Sequence, residues 1–289
     1  MALPHDSHWP RAYSLFSLDN AGLCDVTLIG VPASQTSLSP TSAHQTPEAI
    51  RIALQRYSTA HSNSRVNIEK LSLRDAGNIT SPDHDELATI KAIKEIATKS
   101  SLTIALGGDN SITYAGALGL EASGLITFDA HYDLRDGVNN GSPVRRLIEA
   151  GISGKKVVQI GIADFSNSPA YAKRAMDYGI TVIPRSELRS RNLTDVWEQA
   201  LAIAGDRVFV DFDMDVCDRS VVPACPAAAP GGISADELRQ FAYLVGGAPQ
   251  IVGADITEID ATKDSDDERT IRLAALVILE LIAGFSTRE

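Results

Sequence analysis

Two apolar runs in this chain end in the same way. Leu125-Ile126-Thr127-Phe128 leads into Asp129-Ala130-His131-Tyr132-Asp133, and Arg207-Val208-Phe209-Val210 leads into Asp211-Phe212-Asp213-Met214-Asp215. Short apolar runs of this kind read as buried strands. A strand that stays extended points every second side chain to one face, which would gather Asp129, His131 and Asp133 there. Asp129, Asp133, Asp213 and Asp215 could converge without a Lys or Arg between them only if cations neutralised them. Two divalent ions balance four negative charges. Mostly oxygen donors with one imidazole suit Mn²⁺ better than a thiolate-seeking zinc. A third stretch, Gly107-Gly108-Asp109-Asn110-Ser111, closes another strand and opens a helix, with glycines that allow close backbone approach.

The rest of the chain alternates strands and helices. Val26–Val31 is the first expected strand, followed by a Ser/Thr-rich loop to Gln45. Thr46-Pro47-Glu48-Ala49 reads as a helix start, with Thr46 as N-cap and Pro47 first in the helix, running to about Thr59. Lys70–Ile79 holds a short strand and a turn. Asp85–Lys99 has a helical stripe of Leu87, Ile90, Ile93 and Ile96. Strands follow at 103–106, up to His131, at Val157–Ile162, at 181–183 and into Asp213, with helices at 143–150, 170–178 and 194–204. Ser234-Ala235-Asp236-Glu237 is a capping-box pattern. Ile251–Ile256 is a strand ending at Thr257-Glu258, and 268–284 is a closing apolar helix. Such alternation implies an α/β fold with a mainly parallel sheet covered on both faces. Ligands then bind beyond the carboxyl ends of the strands, where every acidic motif falls. With no internal repeat or linker, 1–289 reads as a single domain.

Composition narrows the partners. At 289 residues and 44% hydrophobic content the chain can bury a large core, and a net charge of −11 argues against a nucleic-acid partner. No apolar run reaches the ~18 residues of a membrane span. The start, with His5, Asp6, His8 and Trp9, lacks a signal peptide's basic and apolar regions. Cys24, Cys217 and Cys225 form no disulfide framework and read as reduced thiols of a cytoplasmic protein. Cys217 and Cys225 lie near the acidic motifs in sequence, but neither has a His or CxxC partner.

In order, Gly-Gly-Asp-X-Ser at 107–111, Asp-Ala-His-X-Asp at 129–133, Asp-X-Asp at 213–215 and Glu258 resemble the motifs of the ureohydrolase family, which includes arginases, agmatinases and formimidoylglutamases. The resemblance covers nearly the whole chain. It implies a three-layer α/β/α fold around a mainly parallel eight-stranded sheet, two Mn²⁺ ions, and hydrolysis of a C–N bond in a guanidino or formimino amino-acid substrate. It also implies that Asp129 and Asp213 bridge the ions, with Asn110 and Asp133 completing one site and His131 and Asp215 the other. A hydroxide held between the ions would be the nucleophile, oriented by Asp133, and Glu258 would pair with the substrate's amidine group.

Several departures bear on the substrate. Asn110 stands where the family has His, offering a neutral carbonyl oxygen as a weaker donor; a two-metal site, a one-metal site and a dead one all remain open. The loop after Asp133 is short, and Asn140 replaces a proton-shuttling His, so ordinary arginase activity is not expected. Asn140 and Ser142 are substrate-contact candidates on that loop. Asp211 stands in place of a small Ser and needs a partner or a proton. Asn110 favours Nω-hydroxy-L-arginine as substrate, giving hydroxyurea and L-ornithine, because N-hydroxylation makes the guanidine less basic and easier to attack. This reading resembles the hydroxyarginine-hydrolysing branch that serves antibiotic biosynthesis. Asp-Leu-Arg at 133–135 and Ser-Asn-Ser at 166–168 instead resemble formimidoylglutamases, with Arg135 or Arg145 as a planar fork for a substrate carboxylate. The chain ends soon after Phe285 without the tail that joins some arginases into trimers, so a monomer or small homo-oligomer is expected. A silent homologue acting as a binding subunit would show a broken acid set, and this set is intact.

Overall fold

The computed structural model describes residues 6–18, 22–63 and 65–288; His5, of the opening stretch read above, lies outside them. The described residues form nine strands: β1 (Phe16–Ser17), β2 (Cys24–Val31), β3 (Leu73–Asn78), β4 (Ser100–Gly107), β5 (Gly124–Phe128), β6 (Val157–Ile162), β7 (Thr181–Pro184), β8 (Val208–Asp213) and β9 (Ile251–Thr257). They make one sheet in the order β1-β3-β2-β4-β9-β8-β5-β6-β7. All the pairings are parallel. The strand beyond the expected eight is β1, whose two residues are too few to show a periodicity.

Among the described residues nine α-helices accompany the sheet: α1 (Thr46–Leu54), α2 (Glu86–Ala97), α3 (Ile112–Gly119), α4 (Pro143–Glu149), α5 (Pro169–Tyr178), α6 (Arg185–Leu188), α7 (Leu193–Ala204), α8 (Ala235–Gly247) and α9 (Arg269–Phe285). Apolar side chains of α1, α7, α8 and α9 pack into one cluster. Those of α2, α3, α4 and α5 pack into a second. The sheet lies between these two layers, which is why β5, β6 and β8 are buried along their whole length.

Local chemistry sets most boundaries. Asp85 caps α2, accepting from the Ala88 N–H at 2.9 Å. The expected capping box at α8 is formed, with Ser234 and Glu237 each accepting the other's backbone N–H. Thr46 differs from expectation: it lies inside α1, and its hydroxyl donates to the Ile259 carbonyl at 2.6 Å. α1 also stops early, because Gln55, Arg56 and Tyr57 close tighter turns onto residues three back. On α2 only Ile93 of the expected stripe is buried, and Leu87 is exposed.

The sheet order brings the acidic motifs together. β4 and β5 are consecutive in the chain but have β9 and β8 between them, so four neighbouring strands end at one place. Phe128 and Phe212 are register partners and stack with ring centroids 4.9 Å apart. Asp129 and Asp213, the next residues, therefore leave the sheet side by side above an apolar floor. Truncating either ring would cost about 3–5 kcal/mol.

Candidate metal centre

A cavity of about 590 Å³ opens at these strand ends, lined by His131, Asp133, Arg135, Asn140, Arg174, Asp213, Asp215 and Glu258 among others. Asp129 and Asn110 lie behind that lining and are 0% and 1% exposed. The backbone route to the site differs from the extended one expected. β5 ends at Phe128, and Asp133 takes a left-handed conformation with φ 52°. Asp129, His131 and Asp133 therefore reach the site through a turn rather than by strand alternation. Glu258 has φ 62°, equally unusual for a non-glycine residue. Each such conformation costs about 1–3 kcal/mol and persists only where its surroundings enforce it. For Glu258 the enforcement is visible: its N–H donates to the Gly108 carbonyl at 3.1 Å.

The glycines of the 107–111 stretch serve close approach. A Cβ on Gly108 would lie 2.3 Å from the Ala33 carbonyl oxygen, and one on Gly107 2.6 Å from that of Ile256. Asp109 is buried and holds the loop, accepting from the Ser37 and Ser111 hydroxyls.

Asp129, His131 and Asp215 form a compact donor group whose ligand atoms lie within 4.8 Å of one another. His131 Nδ1 is 3.0 Å from Asp215 Oδ2 and 3.5 Å from Asp129 Oδ1. Asp215 sits in a short 3-10 turn after β8, and its N–H donates to Asp213 Oδ1 at 2.9 Å. Asp133 and Asp213 lie outside the compact group. Asp133 Oδ2 accepts from Asn110 Nδ2 at 2.5 Å. Asn167 stabilises the His131 turn, accepting from the Tyr132 N–H and donating to the Ala130 carbonyl.

Burial, then repulsion from the Asp129 and Asp215 carboxylates, pushes Asp133 and Asp213 well above the usual carboxylate range. Burial alone would lower His131, but the Asp215 and Asp129 carboxylates outweigh it and raise the imidazole. Burial likewise raises Glu258 to about 7, against hydrogen bonds from Asn140 and Asn110. Asp129 Oδ2 is buried with no hydrogen-bond partner. Crowded, raised carboxylates and an orphaned carboxylate oxygen are what a donor set requires if cations are to neutralise it, so these residues fit divalent ions.

The other candidates divide. Asn140 Nδ2 donates to Glu258 Oε1 at 2.9 Å, and its Oδ1 accepts from the Leu38 N–H, so it steadies Glu258. Ser142 is fully buried and not part of the cavity lining; its hydroxyl donates to the Asn139 carbonyl. Arg145 is occupied by the Arg135 and Gly137 carbonyls and by Glu149. Arg135 lines the cavity, and its guanidinium has no hydrogen-bond or ion-pair partner among the described residues. Cys217 and Cys225 are buried, which raises both thiols and leaves them as apolar filler. Two contributors were missed from the sequence. Asp255 is the register partner of Asp211 and was visible as a lone acid in an apolar strand. Arg174 carried no signal, since a helix pattern does not say which residue faces a cavity.

The arginase family model matches residues 24–284, so the chain belongs to the arginase family. It is 36% identical to the formimidoylglutamase of Halalkalibacterium halodurans, over 96% of this chain and 93% of that protein. Among solved structures it resembles the Bacillus subtilis formimidoylglutamase, with a TM-score of 0.93, 30% identity and coverage of 99% and 95%. It also resembles Trypanosoma cruzi formiminoglutamase with two Mn²⁺ ions, with a TM-score of 0.90, 26% identity and coverage of 97% and 100%. These relatives overturn the hydroxyarginine expectation drawn from Asn110.

Proposed function

We propose that this arginase-family chain hydrolyses the formimino C–N bond of N-formimidoyl-L-glutamate, releasing formamide and L-glutamate, with two Mn²⁺ ions as cofactor. The observation that carries the reading is Arg135: a guanidinium with no partner among the described residues, lining the same cavity as the acid set, where a substrate carboxylate can take both prongs of its fork. A cationic guanidino substrate such as agmatine gains nothing from such a group. The relatives named above favour the same substrate.

Asp129, His131, Asp133, Asp213 and Asp215 would hold the ions, with Asn110 as a sixth, neutral donor. When bound, the ions supply Lewis acidity and make water a competent nucleophile at neutral pH. An amide flip would give Asn110 this role. Thr113 has one hydroxyl hydrogen but lies 2.7 Å from Asn110 Oδ1 and 2.9 Å from Asp255 Oδ2. Turning the amide lets its NH₂ donate to Thr113 and frees the hydroxyl for Asp255. The carbonyl oxygen would then face Asp133 and be available as a neutral donor.

Glu258, steadied by Asn140 and by the Asn110 N–H, would accept hydrogen bonds from the substrate's formimino nitrogen and hold the amidine carbon toward the ions. Its raised carboxyl can also carry a proton near neutral pH toward the leaving nitrogen. Asp133 would orient the attacking water as an acceptor. The test is turnover of formimidoylglutamate by the Mn²⁺-loaded protein beside other amidines.

A further inference from the structure

Formimidoylglutamate carries two carboxylates, and Arg135 can serve only one of them. A second guanidinium lines the cavity, that of Arg174 on α5. Its Nη1 donates to the Leu134 carbonyl at 2.6 Å and to Asp136 Oδ1 at 2.8 Å. Both bonds use the same nitrogen, so Nη2 and Nε are uncommitted. The Tyr171 ring lies 5.5 Å from the guanidinium and restricts its swing. Asp136 is 81% exposed, and Arg174 is 31% exposed. An ion pair this open to water is weak and readily exchanged for another carboxylate.

The placement assigns the two guanidiniums to different carboxylates. Arg135 follows Asp133 by two residues and lines the same cavity with no competing anion among the described residues, which leaves it for the α-carboxylate beside the scissile amidine. Arg174 is tied to Asp136, an acid at the solvent edge. We propose that Arg174 is a specificity-determining residue that binds the side-chain carboxylate of a dicarboxylate substrate, exchanging Asp136 for it. The Leu134 bond keeps Nη1 in place during the exchange, so the fork is positioned before the ligand arrives. Asp136 then acts as a stand-in anion. The site thereby selects against amino acids with neutral or cationic side chains.

This assignment rests on the formimidoylglutamate reading for the substrate's identity, but its test does not depend on turnover. Binding of L-glutamate and of L-norvaline, which lacks the side-chain carboxylate, is measured by calorimetry on the Mn²⁺-loaded protein. Wild type should prefer glutamate at least about tenfold, the scale of one charge-assisted hydrogen-bonded contact. Arg174→Ala should lose that preference while binding norvaline as before, and Arg174→Lys should keep part of it. Asp136→Asn should bind glutamate several-fold more tightly, because the competing carboxylate is gone. A glutamate preference that survives in Arg174→Ala, or Asp136→Asn failing to tighten glutamate binding, would overturn the proposal. Hydrolysis of formimidoylglutamate is scored separately. Preference lost in Arg174→Ala without any turnover would leave the dicarboxylate clamp standing and remove the substrate reading.

Discussion

Asp211 of β8 and Asp255 of β9 are register partners on adjacent strands, and both are 0% exposed. Asp211 Oδ2 and Asp255 Oδ1 each lack a hydrogen-bond partner. One proton shared between the two carboxyls satisfies both atoms, which answers the inward acid read from the sequence. Burial raises both groups, and the Asp255 charge raises Asp211 further.

The pair makes stability depend on pH. The folded chain keeps a proton that the unfolded chain releases above about pH 4. Stability contributed by the pair therefore falls as pH rises from that value toward the raised folded range, by at most about 1.4 kcal/mol per pH unit. Asp211→Asn replaces the shared proton with a fixed amide donor to Asp255. In chelator-treated protein, urea midpoints of wild type and Asp211→Asn should diverge in the variant's favour between pH 4 and 7 (roughly the window named above). Parallel midpoints across that range would refute the shared proton.

Arg135 and Arg145 should fail in different ways. Arg135→Ala removes a charge-assisted fork worth about 1.5–3 kcal/mol, so KM for formimidoylglutamate should rise about 10- to 150-fold with kcat little changed. Arg145→Ala removes the donor shared by the exposed Arg135 and Gly137 carbonyls and should cost about 0.5–1.5 kcal/mol of stability, with KM little changed. Steady-state kinetics and chemical denaturation of both variants check this. The reverse pattern would exchange their roles.

Asp213→Ala removes a carboxylate expected to serve both ions. Metal analysis after dialysis should show the loss of both, and activity should fall by more than the roughly hundredfold typical of an outer-shell partner. Two ions retained per chain would remove Asp213 from the ligand set.

Asn110→His exchanges a neutral oxygen donor, available only after an amide flip, for an imidazole that needs no such turn. The variant should retain Mn²⁺ through dialysis that depletes wild type. Equal retention would show that Asn110 does not contact an ion.

The chain alone showed which strands end in acids, because apolar runs and period-two acids are local. Asp129, His131, Asp213 and Asp215 were legible for that reason. The left-handed turn at Asp133 was not. It follows from where β5 stops, which the pairing with β6 and β8 decides. Asp211 was recognised as needing a partner, but Asp255 was named only by the register of β8 on β9. Choosing between Arg135 and Arg145 required the loop carbonyls that occupy Arg145. The hydroxylated substrate read from Asn110 is the expectation the relatives overturn, because the identity of one residue behind the cavity lining says nothing of what fills the outer cavity.

The most direct measurement is hydrolysis by the Mn²⁺-loaded protein of formimidoylglutamate, Nω-hydroxy-L-arginine and L-arginine side by side, with ammonia-free detection of formamide, hydroxyurea and urea. Turnover of formimidoylglutamate well above the other two is the expected result. Turnover of either guanidine in its place, with both ions bound, would contradict it.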